Sequence, residues 1–301
     1  MKITQIKKTE SHTHDWVIYV DTDSVFLSAV PLIKKRYPAI HIDDEVTMCD
    51  KISGVATEIQ RYINDSYDLL ATKVYNIKSH RFEIKQENIA RRGIWVAKKR
   101  YVQKIIWENG VTKSRVDVKG LDVKRSDFPK AFKIFMSDIL DDLLDGVGKD
   151  VVDVKINTFK SGLKNMPLLD ICKPTGVKGL TKYKGNGQFG NTAKGTPAHV
   201  KAAIYYNDLI KLKKLNKKYP PIKNGEKIVW IYLKDNSYGL RSMGIKGSGD
   251  PDIIVEFINS YMDSDKMFSS ILENKLDDFY SALNWDSYKH VNKTASQFFS
   301  F

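Results

Sequence analysis

Apolar and β-branched residues alternate with polar ones through "DWVIYVDTDSVFLSAV", residues 15–30, and the alternation breaks once, at Asp21-Thr22-Asp23. A period of two interrupted by polar residues predicts a strand–turn–strand hairpin with both aspartates at its tip. The period then lengthens. From Asp50 to about Tyr75, apolar residues fall at Ile52, Val55, Ile59, Tyr62, Ile63 and Leu70, a helical spacing with Asp50 as its expected cap. "HRFEIKQENI" reads as a strand. "GIWVAKKRYVQKIIWENGVTKSRVDV" reads as a long hairpin turning at Asn109-Gly110, a dipeptide suited to the left-handed backbone of a tight hairpin turn.

After "VKGLDVKRSDFP" the period changes again. Phe128, Phe132, Phe135, Ile139 and Leu143 share one face of a helix that should begin near Ser126 and stop at Gly146. Residues 173–198 carry six glycines, five lysines and no acid, which reads as a long structureless loop, either functional or a linker. Helical patterns resume at 197–215, "KIVWIYL" is strand-like, and helices follow over 251–283. No internal repeat is present. The expected fold class is α+β. Residues 1–15 form a polar lead-in, 16–118 an antiparallel sheet with a helix, 119–293 a mainly helical domain with a small sheet element, and 294–301 a tail.

Composition narrows the class of partner. The chain has 301 residues, 42% of them hydrophobic, enough for a core in each of two domains. A formal net charge of +13 points to a polyanion, most often nucleic acid. Two cysteines, Cys49 and Cys172, are too few for a disulfide framework and fit a reducing compartment. The first fifteen residues lack the apolar run of a signal peptide, and no apolar stretch is long enough to span a bilayer. A cytoplasmic protein with no membrane partner is therefore expected.

The aspartate pair is the first candidate for chemistry. In most loops Asp-x-Asp is a solvated turn or a cap. Here apolar flanks bring the pair to the edge of a buried sheet, where like charges need a compensating cation or a proton. Mg²⁺ takes oxygen ligands and is commonly held by one or two carboxylates together with substrate phosphates. Two such ions can clamp the attacking and leaving oxygens of a phosphoryl transfer. Completing that site needs at least one further carboxylate.

At this point the residues carry a family resemblance. "YVDTDSVF" resembles motif C of family B DNA polymerases, in which a palm-domain hairpin presents Asp-Thr-Asp to the catalytic metals. "WVAKKRYVQKI" resembles the family's Lys-Lys-Arg-Tyr motif, with "KQENI" upstream of it as a short acidic motif. "KGLDVKRSDFPKAF" resembles the passage from palm to thumb, and "TPAHVKAAIYYN" and "TASQFFSF" resemble segments of the polymerases of T-even-type tailed phages. These stretches follow one another in the family's order over nearly the whole chain.

The resemblance implies a partial palm, an antiparallel sheet with a helix over 16–118, followed by a mainly helical thumb. It makes Asp23 the principal metal ligand and Asp21 its partner, with Thr22, Ser24 and Glu87 close to the metal site. Lys98, Lys99, Arg100 and Tyr101 would grip primer–template DNA, and Arg125 lies in the palm-to-thumb passage with the same role. Lys178, Lys182 and Lys184 would follow the duplex backbone if the glycine–lysine loop is functional. Phe298, Phe299 and Phe301 would anchor the chain to a sliding clamp.

One departure is Val20, where motif C usually has glycine; a β-branched residue could crowd a backbone approach. A larger one is that the family's motif A aspartate, its fingers helix and its exonuclease lie upstream, whereas twenty residues precede Asp21 here. The resemblance then implies the C-terminal part of a split polymerase that uses Mg²⁺ and deoxynucleoside triphosphates. An N-terminal fragment would supply exonuclease, fingers and motif A. The alternative is a non-catalytic remnant that binds DNA and a clamp.

Overall fold

A computed structural model describes residues 16–247 and 249–288. The chain forms two units: one holds the residues up to Gly120 together with Leu144–Gly146, the other Leu121–Leu143 and the residues from Val147 onward. With small antiparallel sheets and several helices, the fold class is α+β, as the periods predict.

In the first unit β1 (Val17–Asp21) and β2 (Ser24–Leu27) pair antiparallel, with Val20 opposite Val25 and Asp21 opposite Ser24. Thr22 and Asp23 are the two-residue loop, so the aspartates do sit at a hairpin tip. Helix α1 (Val30–Arg36) follows, then α2 (Glu45–Leu69), which runs into one wider π turn over Leu70–Val74. Asp50 is not the cap of α2. Asp44 is, its carboxylate accepting the Thr47 N–H at 3.1 Å, and so the cap lies six residues earlier than the apolar repeat implies. Met48, Cys49, Ile52 and Val55 on its inner face pack with Ala29, Ile33, Ile89 and Ile106 into one buried cluster.

The segment "HRFEIKQENI" is extended, but only its last two residues belong to a strand. Its backbone is instead satisfied by α2. The Asn64 amide accepts the Ile84 N–H at 2.8 Å and donates to the Ile84 carbonyl at 3.1 Å, while Gln60 accepts the Gln86 N–H at 3.0 Å. Residues 60 and 64 are one helical turn apart, about 6 Å, and so are alternate residues of an extended chain, about 6.7 Å. That match lets a helix replace a neighbouring strand.

Strands β3 (Asn88–Ala97), β4 (Arg100–Glu108) and β5 (Val111–Lys119) form a three-stranded antiparallel meander. Asn109 and Gly110, at φ 49° and 88°, make the expected turn between β4 and β5. A second turn was not expected. Lys98 and Lys99 do not lie in a strand; they connect β3 to β4, with Lys99 at φ 60° and Arg100 opening β4.

The second unit begins with α3 (Lys130–Asp145), whose last residues count with the first unit, and α4 (Lys149–Gly162). Helix α3 starts four residues after Ser126 because Pro129 supplies the first carbonyl, to Lys133 N–H at 2.9 Å; Gly146, at φ 84°, ends it. The aromatic face is core as predicted, with Phe135 stacked on Phe159 of α4 at 4.0 Å between ring centres.

Residues 173–198 are not structureless. After α5 (Leu168–Ile171), β6 (Lys173–Gly176) pairs antiparallel with β7 (Lys227–Tyr232), and α6 (Leu180–Tyr183) follows β6. Val177 is wholly buried, and Lys184 pairs with Thr192 across the rest of the loop. Helix α7 (Ala198–Leu212) packs on β8 (Ser242–Ile245), the third strand of the sheet β6-β7-β8. There Gly244 matters, because an added Cβ would lie 3.2 Å from the Ala202 carbonyl oxygen of α7. Helices α8 (Asp252–Tyr261), α9 (Ser264–Phe268) and α10 (Asn274–Ala282) complete the unit.

Candidate functional site

Alternation along β1 places Tyr19 and Asp21 on one face and Val20 on the other. The Val20 side chain is 59% exposed, so among the described residues it crowds nothing. The inward face carries the site. Tyr19, Phe26, Trp95 and Tyr101 form an aromatic cluster with ring centres 5.5–6.0 Å apart. It seats the hairpin on β3 and β4. One hydrogen bond fixes the register of that seating: the Lys99 backbone N–H donates to the Tyr19 hydroxyl at 2.9 Å, across 80 residues of sequence. Two motifs far apart in the chain, Asp-Thr-Asp and Lys-Lys-Arg-Tyr, thereby meet.

The charges at the tip are handled unequally. Asp21 accepts the Thr22 N–H at 2.9 Å and the Thr22 hydroxyl at 3.3 Å, and the Lys99 ammonium lies 3.6 Å away. The Thr22 N–H above all, helped by the Lys99 charge, holds the Asp21 carboxyl below its ordinary range against the opposing effect of partial burial. What this interaction adds to stability is present above the ordinary aspartate pKa and is lost as pH falls through the lowered value. Asp23 is exposed. The compensating cation expected for the pair is, for Asp21, a lysine of this chain.

Asp23 and Ser24 line a cavity of about 600 Å³ inside the first unit, together with Ile59 and Gln60 of α2, Glu83 and Glu87 of the extended segment, and Tyr101, Gln103, Glu108, Arg115 and Asp117 of the sheet. The structure thus brings Glu87 and Asp23 to one cavity. Glu87 is exposed, and its carbonyl accepts the Asn109 N–H at 3.0 Å. Arg115 and Lys113 hold the Glu108 carboxyl at about 2, so it stays ionised at every physiological pH with its charge matched by those two cations. Burial pushes the Tyr101 phenol up, which keeps it a neutral hydroxyl.

The other expected DNA contacts divide. Lys98 and Lys99 are exposed on their turn, and Arg100 is half-buried. Gly120 lies against that turn at φ 64°, where an added Cβ would lie 2.1 Å from the Lys99 carbonyl oxygen. Neither the glycine nor its partner could be identified from local pattern. Gly120→Ala is expected to destabilise the first unit by about 2–4 kcal/mol, through left-handed strain plus overlap. A denaturant midpoint equal to that of the unchanged chain would refute this role.

In the second unit, Arg125 is committed to Asp127 by two parallel hydrogen bonds of 2.8 Å. Lys178, Lys182 and Lys184 are exposed. Phe298, Phe299 and Phe301 fall outside the described residues.

Among the described residues, no three His, Cys, Asp or Glu side chains are grouped so as to hold a metal ion. The aspartate pair still fits a hard divalent cation in its donor chemistry: carboxylate oxygens only, one held ionised by Thr22 and one exposed at the cavity. No helix among the described residues is long and apolar enough to cross a membrane.

Comparison with known proteins finds no match among curated proteins. A family model, DNA polymerase family B, matches residues 2–171, more than half the chain and all of the aspartate hairpin and the three-stranded meander. The chain belongs to DNA polymerase family B.

Proposed function

We propose that this chain supplies the motif C aspartates, the primer–template grip and the thumb of a family B DNA polymerase of the T-even phage type. A separate polypeptide would bring the exonuclease, the fingers and the motif A carboxylate. The observation that carries this reading is the seating of the Asp-Thr-Asp tip on the Lys98-Lys99 turn through Tyr19 and the aromatic cluster. It sets the Asp21 carboxylate beside the Lys99 ammonium, a cation suited to phosphate.

In this reading Asp23 is the principal ligand of Mg²⁺ and Asp21, oriented by Thr22, its partner. The cation, when bound there, would stabilise negative charge on a transferring phosphoryl group. Lys98, Lys99 and Arg100 contact backbone phosphates, which carry no sequence information and so suit an enzyme that must accept any template. The Tyr101 hydroxyl is a neutral donor toward the primer–template, and Glu87 adds a carboxylate to the cavity that Asp23 also lines. β1 and β2 form a two-stranded sheet whose Val17 and Val20 are exposed. Such an edge suits addition of a strand from the complementary polypeptide. The 294–301 tail would hold a sliding clamp, and the complex would work in the cytoplasm of the host cell.

The test is primer extension by the full chain, alone and mixed with a fragment carrying exonuclease, fingers and motif A. No extension alone and extension in the mixture are expected. DNA binding with no extension in any mixture would replace this reading with that of a non-catalytic DNA- and clamp-binding remnant.

A further inference from the structure

Two glutamines that line the cavity of the first unit each have an enclosed polar atom with no hydrogen-bond partner among the described residues: the Gln103 Oε1 acceptor and the Gln86 Nε2 donor. Gln103 is only 2% exposed. Its Nε2 donates to the Asp117 carboxylate at 3.1 Å, which makes the oxygen the unpaired end of the amide. A donor and an acceptor kept from water and left unpaired cost stability, and few groups in a native chain are in that state.

The rest of the lining indicates what would pair them. Val25, Leu27, Ile59, Ile63 and Ile84 give the cavity an apolar side. Its cations are all committed: Lys85 to Glu83 at 3.0 Å, Arg115 to Glu108 and to Asp117 at 3.2 Å, and Lys119 to Asp117 at 3.6 Å. None is left over for a phosphate, so the lining suits neither DNA nor a nucleotide. It suits an extended peptide. Each residue of such a segment carries one backbone donor and one acceptor, the complement of the two glutamine atoms. The same unit already uses side-chain amides in this way, since Asn64 satisfies both backbone groups of Ile84 and Gln60 accepts the Gln86 N–H. Ser24, Val25 and Leu27 of β2 also border the cavity, which places it beside the hairpin edge assigned above to a strand of the complementary polypeptide.

We propose that this cavity is a docking groove for an extended segment of the complementary polypeptide, whose backbone donates to Gln103 Oε1 and accepts from Gln86 Nε2. The proposal takes the identity of the partner from the split-polymerase reading and adds a place where the two chains join. The cost of the unpaired amides falls on the free chain alone, which favours the complex.

The near-isosteric changes Gln103→Met and Gln86→Met test this in the full chain, titrated calorimetrically with a fragment carrying exonuclease, fingers and motif A. Each should weaken association about tenfold, the worth of one buried hydrogen bond. Each should leave the unfolding midpoint of the free chain no lower, because an unpaired polar atom is removed and Asp117 keeps Arg115 and Lys119. Affinity for duplex DNA should not change. Ile63→Trp, which fills the groove from α2 without altering either glutamine, should weaken association at least as much. Unchanged association in all three variants would overturn the groove, while extension in the mixture would keep the polymerase reading. A fragment that does not associate with the unchanged chain would remove both. A shift of the Gln86 side-chain amide NMR signal on adding dATP without the fragment would also overturn the proposal, by assigning the cavity to a nucleotide.

Discussion

Asp23→Ala is expected to lower primer extension by the reconstituted polymerase about a thousandfold or more, while the unfolding midpoint of the chain stays unchanged. The magnitude follows from the role. A metal-ligating carboxylate underwrites several kcal/mol of charge stabilisation at a phosphoryl-transfer centre, and each 1.4 kcal/mol, roughly, is tenfold in rate. The unchanged midpoint follows from Asp23 being an exposed loop residue of the hairpin. Asp21→Ala should behave differently. It removes the acceptor for Thr22 and the partner of Lys99, so it should loosen the tip as well as lower extension. Steady-state primer extension, with thermal unfolding of each variant, checks both. Extension within tenfold of the unchanged protein for Asp23→Ala would count against the metal-ligand role.

Phe26→Ala should have the largest effect on stability, about 3–5 kcal/mol. Phe26 is buried, and its ring meets Tyr19, Trp95 and Tyr101 at 5.5–5.7 Å between centres, contacts that add to its area burial. Because those rings seat the hairpin on the meander, the loss should spread to function although no charge is removed. Hydrogen exchange gives a local readout. The Lys99 N–H, bonded to Tyr19, should exchange faster in Phe26→Ala, and DNA affinity should fall with it. Phe26→Leu, which keeps most of the volume, should cost about 1.5 kcal/mol or less. Unaltered protection of the Lys99 amide in Phe26→Ala would mean that the cluster does not position the turn.

Much of the candidate site is legible in the order of residues alone. The break in alternation at Asp21-Thr22-Asp23 locates the tip, and Asn109-Gly110 locates a turn, because both signals lie within a few adjacent residues. The second turn is not legible. Lys98-Lys99 contains neither glycine nor asparagine, and its left-handed lysine is held by Gly120 and Tyr19, neither of which is a neighbour in sequence. The extended segment before β3 misleads for a related reason. Its alternation is that of a strand, but whether a strand or a helix satisfies its backbone depends on what packs alongside, here Gln60 and Asn64. The glycine–lysine segment hides β6 because its pairing partner, β7, lies some fifty residues on.

The sequence by itself determined the local geometry of this protein: the hairpin with acids at its tip, the apolar faces of α2 and α3, and the excess of positive charge. Each depends on residues close along the chain, where period and turn chemistry are decided by backbone sterics. Tertiary structure alone decided which cation faces Asp21, what seats the hairpin, and that Glu87 shares a cavity with Asp23. Those outcomes depend on side chains that meet only after the core has closed, so no local pattern could carry them.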